Sequence, residues 1–167
     1  MTIPASLRGN KIFYDALFAK AKILEKKLAT KILWEPIKDD RVRVFGEYMD
    51  RGSLSDDLDS YLAGLLSDYV TPLCDLYAAV IGKTYQSIRI KKLRAKWGSC
   101  SSTQALVFNR DLVHLPLPVV RYVVVHEIVH LIHKHHQKSF WDLVALLMPD
   151  FKKQRKFLRD IRMRSVD

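Results

Sequence analysis

Cysteine is scarce: Cys74 and Cys100 are the only two in 167 residues, which excludes the disulfide framework of small secreted domains and suits a reducing compartment. Long apolar runs are missing too. The longest, Tyr122 to Val125 and Leu143 to Met148, fall far short of the roughly 20 residues that cross a bilayer. The opening Met-Thr-Ile-Pro-Ala-Ser-Leu-Arg has no basic stretch followed by an apolar one, so no secretory leader is expected. Internal repeats and low-complexity tracts are absent, which excludes solenoids. These absences lead to the expectation of a cytoplasmic protein with no membrane segment.

Acidic residues are short in the second half. Residues 1 to 82 hold 11 Lys+Arg and 12 Asp+Glu, a net −1, while residues 83 to 167 hold 17 and 6, a net +11. The whole basic excess lies after Gly82. It gathers in Lys83, Arg89, Lys91, Lys92, Arg94 and Lys96, and again between Lys152 and Arg164. Such a surface attracts polyanions, and nucleic acid is a candidate partner through the phosphate-binding set Arg89, Lys91, Lys92, Arg94 and Lys96. A pair of solvated faces is the plainer alternative.

With 49% apolar and 28% charged residues, the chain has the make-up and length of one ordinary globular domain. The charge change divides it into residues 1–82, a helical N-terminal region that is either integral or a small subdomain, and residues 83–167, which carry the chemistry. Apolar spacing predicts a helix over residues 10 to 30. Arg41 to Phe45 alternates like a short strand before a turn at Arg51-Gly52-Ser53. From Ser55, an N-cap candidate, a helix runs towards Ile81, with Thr71-Pro72 expected to kink or split it. Ser87 to Lys91 and Ala105 to Phe108 read as two strands, antiparallel neighbours joined by a bend at residues 97 to 102. After Leu115-Pro-Leu-Pro118, an apolar helix is expected from Val119 to about His133. Ser139 then caps a helix from Phe140 to Met148, and Pro149-Asp150 opens a basic last one. The class is α+β.

The chemistry concentrates in His126-Glu127-Ile128-Val129-His130. Four residues advance a helix by about 400°, so His126 and His130 leave one face within a turn and can grip one metal ion. Glu127 is then placed as the general base towards a zinc-bound water. A glutamate and two histidines are a costly choice for a stretch of Val and Ile that only has to pack. A catalytic zinc site also needs a third protein ligand. His133 stays on the same face but about 10 Å along the axis from His126, and His135 points away. His136 would be about 15 Å off in a continuous helix, so it ligates only if the chain folds back after about His133. Asp142 is the fallback. The interval from His130 to His136 is also the metzincin spacing, with His133 where metzincins carry Gly.

Lys96-Trp-Gly-Ser-Cys-Ser-Ser102, Leu106-Val-Phe-Asn109, Pro116, Tyr122-Val-Val-Val-His-Glu127, His130, His136, Phe140-Trp141 and Pro149-Asp150-Phe151 with Arg155 and Leu158 occur here in one order. In these the chain resembles the YgjP-like metallopeptidase-domain family, related to the SprT and WLM groups. The resemblance covers residues 88 to 160. It implies a zincin-like fold, a small antiparallel or mixed sheet on a buried HExxH helix, and His136 as third zinc ligand. Asn109-Arg110-Asp111-Leu112 departs from the family's Asn-x-Arg-Leu, so Arg110 is given no role.

Trp97, Gly98, Ser99 and Tyr122 are candidate substrate-binding residues, although a packed bend and a core tyrosine are the plainer readings. Cys100 could block the zinc as a thiolate, or simply fill space. Phe140 and Trp141 read as packing anchors behind the site, and His114 stands alone. The expected function is zinc-dependent hydrolysis of peptide bonds with one Zn2+. The alternatives are a nucleotide or phosphoester hydrolase, and a DNA-associated module acting on DNA-bound proteins.

Overall fold

The computed structural model describes residues 41–50 and 57–164. The helix expected over residues 10 to 30, the turn at residues 51 to 53 and Ser55 lie outside them.

Strands β1 (Arg41–Val44) and β2 (Glu47–Asp50) form an antiparallel hairpin. The expected strand is therefore present, and a turn at Phe45-Gly46, with φ of 48° and 90°, joins it to β2. Positive φ at both central residues is what a two-residue turn matching strand twist requires. Phe45 tolerates it because its ring is buried against Tyr69, with centroids 5.5 Å apart.

Helix α1 (Leu58–Val80) starts at Asp57, whose carboxylate accepts the Ser60 N–H at 3.1 Å. It passes through Pro72 as one element, so the expected split does not occur. Proline is tolerable because its ring lies on the exposed side, while Leu66, Tyr69, Val70, Leu73 and Tyr77 are buried on the other.

The second sheet corrects the expected pairing. Its strands are β3 (Ser87–Lys91), β4 (Gly98–Cys100) and β5 (Ala105–Asn109), in the order β3-β5-β4. β3 runs parallel to β5, and the supposed bend contains β4, antiparallel to β5. The sheet is mixed, and among the described residues β4 is an edge. A 3-10 helix (Arg110–His114) leads to α2 (Leu117–Val129), then α3 (Lys138–Leu147) and α4 (Phe151–Arg164).

α2 is the centre of the molecule. Val119, Val120 and every residue from Tyr122 to Val125 are buried, as are Ile128 and Val129. α1, α3, α4 and β4 all pack on it. A valine fully removed from water stabilises by about 1.5 to 3 kcal/mol, so this row holds the helix in place. The core draws on both sides of Gly82, from Val44 and Leu66 to Leu143 and Leu158. No helix among the described residues is long and apolar enough to cross a membrane.

Candidate metal centre and active site

The end of α2 sets the site. The helix stops at Val129 with His130 as its cap, and the chain reverses through bonds from Leu131 N–H to Ile128 O and from His133 N–H to Val129 O. The helix ends four residues before the expected His133, and the fold-back returns His136 to the face it left. Nε2 of His136 lies 3.0 Å from Nε2 of His126 and 3.1 Å from Nε2 of His130. His130 Nδ1 is 2.8 Å from the carbonyl of His133. An Nδ1–H donor there leaves Nε2 with its lone pair facing the other rings. His126 Nδ1 is buried and has no hydrogen-bond partner among the described residues.

This triangle fits a cation. Nε2 of His136 carries either one proton or one lone pair, so it can satisfy one neighbour and not both. A metal ion taking a lone pair from each ring satisfies all three, and tetrahedral zinc spaces its nitrogens by about 3.3 Å. His126 and His130 are also held in the ligating, neutral form. Burial, then His130, His136 and Arg155, press the pKa of His126 down to about 3. Burial also lowers His130. Beneath the three rings lies Phe140, fully buried, with centroids 4.9, 4.6 and 4.7 Å from those of His126, His130 and His136. Packing, rather than hydrogen bonding alone, therefore fixes the imidazoles.

Glu127 is 5% exposed and abuts the edge strand: a Cβ at Gly98 would lie 2.8 Å from both its Cγ and its Oε1. Only glycine lets β4 pass so close. Burial pushes the Glu127 pKa up to about 8, opposed by Lys96. Above the carboxyl opens a cleft of about 570 Å³, bounded by β4, the three histidines, Tyr122 and Arg155. Burial likewise lifts the Tyr122 hydroxyl to about 12, so it remains a donor at neutral pH.

A family profile described as "YgjP-like, metallopeptidase domain" matches residues 5–161. The chain belongs to that family. It is also similar to the crystal structure of the metallopeptidase zymogen of Pyrococcus abyssi abylysin, at 21% identity and a TM-score of 0.48, covering 53% of this chain and 90% of that one. No curated protein matches the chain.

In this YgjP-like domain the other expected residues fall as follows. Trp97, Gly98, Ser99 and Tyr122 all line the cleft, and so does Cys100. Of the basic set, Lys96 lines it, whereas Arg89, Lys91, Lys92 and Arg94 are exposed and do not. The alternative ligands are otherwise engaged or remote. Asp142 pairs with Lys138 at 2.7 Å, His133 is buried with its Nδ1 3.4 Å from Ser139 Oγ, and His135 is exposed outside the triad. Ser139 therefore serves His133 and not the expected N-cap, which is Gln137 with no side-chain bond. Arg110 pairs with Asp59 at 2.7 Å, and His114 Nδ1 lies 2.6 Å from Arg43 O.

Two contributors gave no local signal in the sequence. Asn109 donates to the carbonyls of Leu93 and Lys96 at 2.9 and 3.0 Å and accepts from Asp111 N–H at 3.1 Å, so it pins the segment entering β4. Lys134 lines the cleft. Its place between His130 and His136 was the available clue, since any fold-back that unites those two brings Lys134 along.

Proposed function

We propose that this YgjP-like domain is a zinc-dependent peptidase, with His126, His130 and His136 holding one zinc ion and Glu127 acting as general base. The observation that carries this reading is the convergence of three imidazole Nε2 atoms beside a buried carboxyl at the floor of an open cleft. Bound there, zinc would supply Lewis acidity and make water acidic enough to lose a proton near neutral pH.

The chain's own groups account for the remaining steps. The charge of a bound cation would return Glu127 to its ionised form against the burial that raises its pKa. Glu127 then takes a proton from the attacking water and delivers it to the amine that leaves. Tyr122 can donate a hydrogen bond to the oxygen on which charge builds. The Trp97 carbonyl belongs to the alternating ladder with β5, accepting the Asn109 N–H at 2.8 Å, and Ser101 N–H reaches Ala105 O at 3.0 Å. By that alternation the main-chain groups of Gly98 and Cys100 point away from β5, off an edge that no described strand covers, where an extended peptide can pair with them.

A second reading keeps the site and replaces the amide by a phosphoester. The cations at the cleft, Lys96, Lys134 and Arg155, favour it. Wild type and Glu127→Ala, both zinc-loaded, are compared on unfolded protein and on nucleoside triphosphates. The peptidase reading requires peptide-bond cleavage that is lost in Glu127→Ala while zinc is retained. Equal rates for the two proteins would reject Glu127 as the base, and cleavage of triphosphates alone would favour the second reading.

A further inference from the structure

Three cations from three separate elements meet at the cleft: Lys96 from the segment entering β4, Lys134 from the turn after His130, and Arg155 from α4. Among the described residues the only acidic one lining the same cleft is Glu127, which is buried. Arg110 pairs with Asp59 and Lys138 with Asp142, whereas other exposed cations such as Arg89 and Lys92 have no ion pair among the described residues. Among the described residues no carboxylate pairs with Lys96, Lys134 or Arg155.

Arg155 is held more firmly than a surface arginine. Its guanidinium carbon lies 4.1 Å from the centroid of Trp141. Trp141 in turn stacks on His136 and on Phe151, at 5.8 and 5.7 Å. A planar fork fixed by stacking keeps its N–H groups available for bidentate contact with a carboxylate, and little side-chain freedom is lost when one binds. Three positive charges around a cleft bordered by a strand edge that no described strand covers suit an extended chain carrying carboxylates, which would pair with both features at once.

Resting on the peptidase reading above, we propose that the cleft selects acidic peptide segments, with Arg155 as the carboxylate-recognising residue and Lys96 and Lys134 as supporting charges. The test is binding of fluorescein-labelled short peptides, one core sequence flanked by Glu, Gln or Lys, to zinc-loaded Glu127→Gln protein. The Glu-flanked peptide binds roughly tenfold tighter than the Gln-flanked one, and the Lys-flanked one binds weakest. The advantage shrinks between about 0.05 and 0.5 M salt. Arg155→Lys, which keeps charge but loses the fork, reduces it, and Arg155→Glu abolishes it. Lys134→Glu, on an exposed turn, gives an independent decrease if the arginine variants fail to fold.

Equal affinity for Glu and Gln flanks overturns the proposal. So does an acidic preference that survives both charge reversals, or tight competition by inorganic triphosphate with no preference among peptides. The peptidase reading fails separately: if acidic peptides bind preferentially but zinc-loaded wild type cleaves none of them, the recognition stands without the reaction.

Discussion

Gly98→Ala tests how closely the edge strand and Glu127 are fitted. The added methyl carbon would sit 2.8 Å from Glu127 Cγ and Oε1 and 3.1 Å from its carboxyl carbon. Comfortable carbon contacts begin near about 3.5 Å, so the carboxyl or the strand must retreat by roughly 0.7 Å. Neither is free to do so without cost. Glu127 is buried on the central helix, and β4 is held by β5 from Gly98↔Phe108 to Cys100↔Leu106. Overpacking of this kind costs about 1 to 3 kcal/mol, which lowers Tm by several degrees in a chain of this size. Displacing a catalytic group by about 1 Å costs about 10²-fold in rate. The assay follows kcat/KM of the zinc-loaded protein on an unfolded protein substrate, with zinc content and thermal unfolding measured on the same sample. The expected result is a loss of about 10²-fold with zinc stoichiometry unchanged, because no ligand has been touched. A Gly98→Ala protein within twofold of wild type, with an unchanged Tm, refutes the reasoning.

Gly64 is the matching control: it sits in α1 with open space where a Cβ would go, so Gly64→Ala raises stability by about 0.5 to 1 kcal/mol in thermal unfolding and leaves turnover unchanged. Asn109→Asp keeps the size but cannot donate to Leu93 and Lys96 carbonyls; it lowers stability by about 1 to 3 kcal/mol in denaturant titration and reduces turnover through the loosened entry to β4. Phe140→Ala empties the floor beneath three imidazoles. It costs about 3 to 5 kcal/mol in unfolding and weakens zinc affinity in competition with a chromogenic chelator, although Phe140 offers the metal no atom.

What the sequence could and could not reveal follows from range. His126 and His130 share a face because of helix geometry alone, a relation complete within five residues. His136 depends on where the helix ends, and neither Gly nor Pro marks that end; His130 and the bonds from Leu131 and His133 do. The HExxH pattern was thus readable, and His136 was favoured beside it by its interval from His130 as well as by the family likeness. The sheet was misread for a related reason. Gly98-Ser-Cys100 is too short and too poor in β-branched residues to signal a strand, so β3 and β5 looked like consecutive antiparallel neighbours when they are parallel with β4 across β5. The Phe45-Gly46 turn was hidden because a buried aromatic is an unusual occupant of positive φ. Asn109 and Arg155 act through partners distant in the chain, and no local spacing records such contacts.

The central claim, one metal ion held by His126, His130 and His136, is tested most directly by X-ray absorption at the zinc edge on the reconstituted protein. The account predicts a first shell of three imidazole nitrogens and one oxygen, all at about 2.0 to 2.1 Å, and the loss of one imidazole in His136→Ala. A sulfur at about 2.3 Å, a shell unchanged by His136→Ala, or no stoichiometric zinc at all would contradict it.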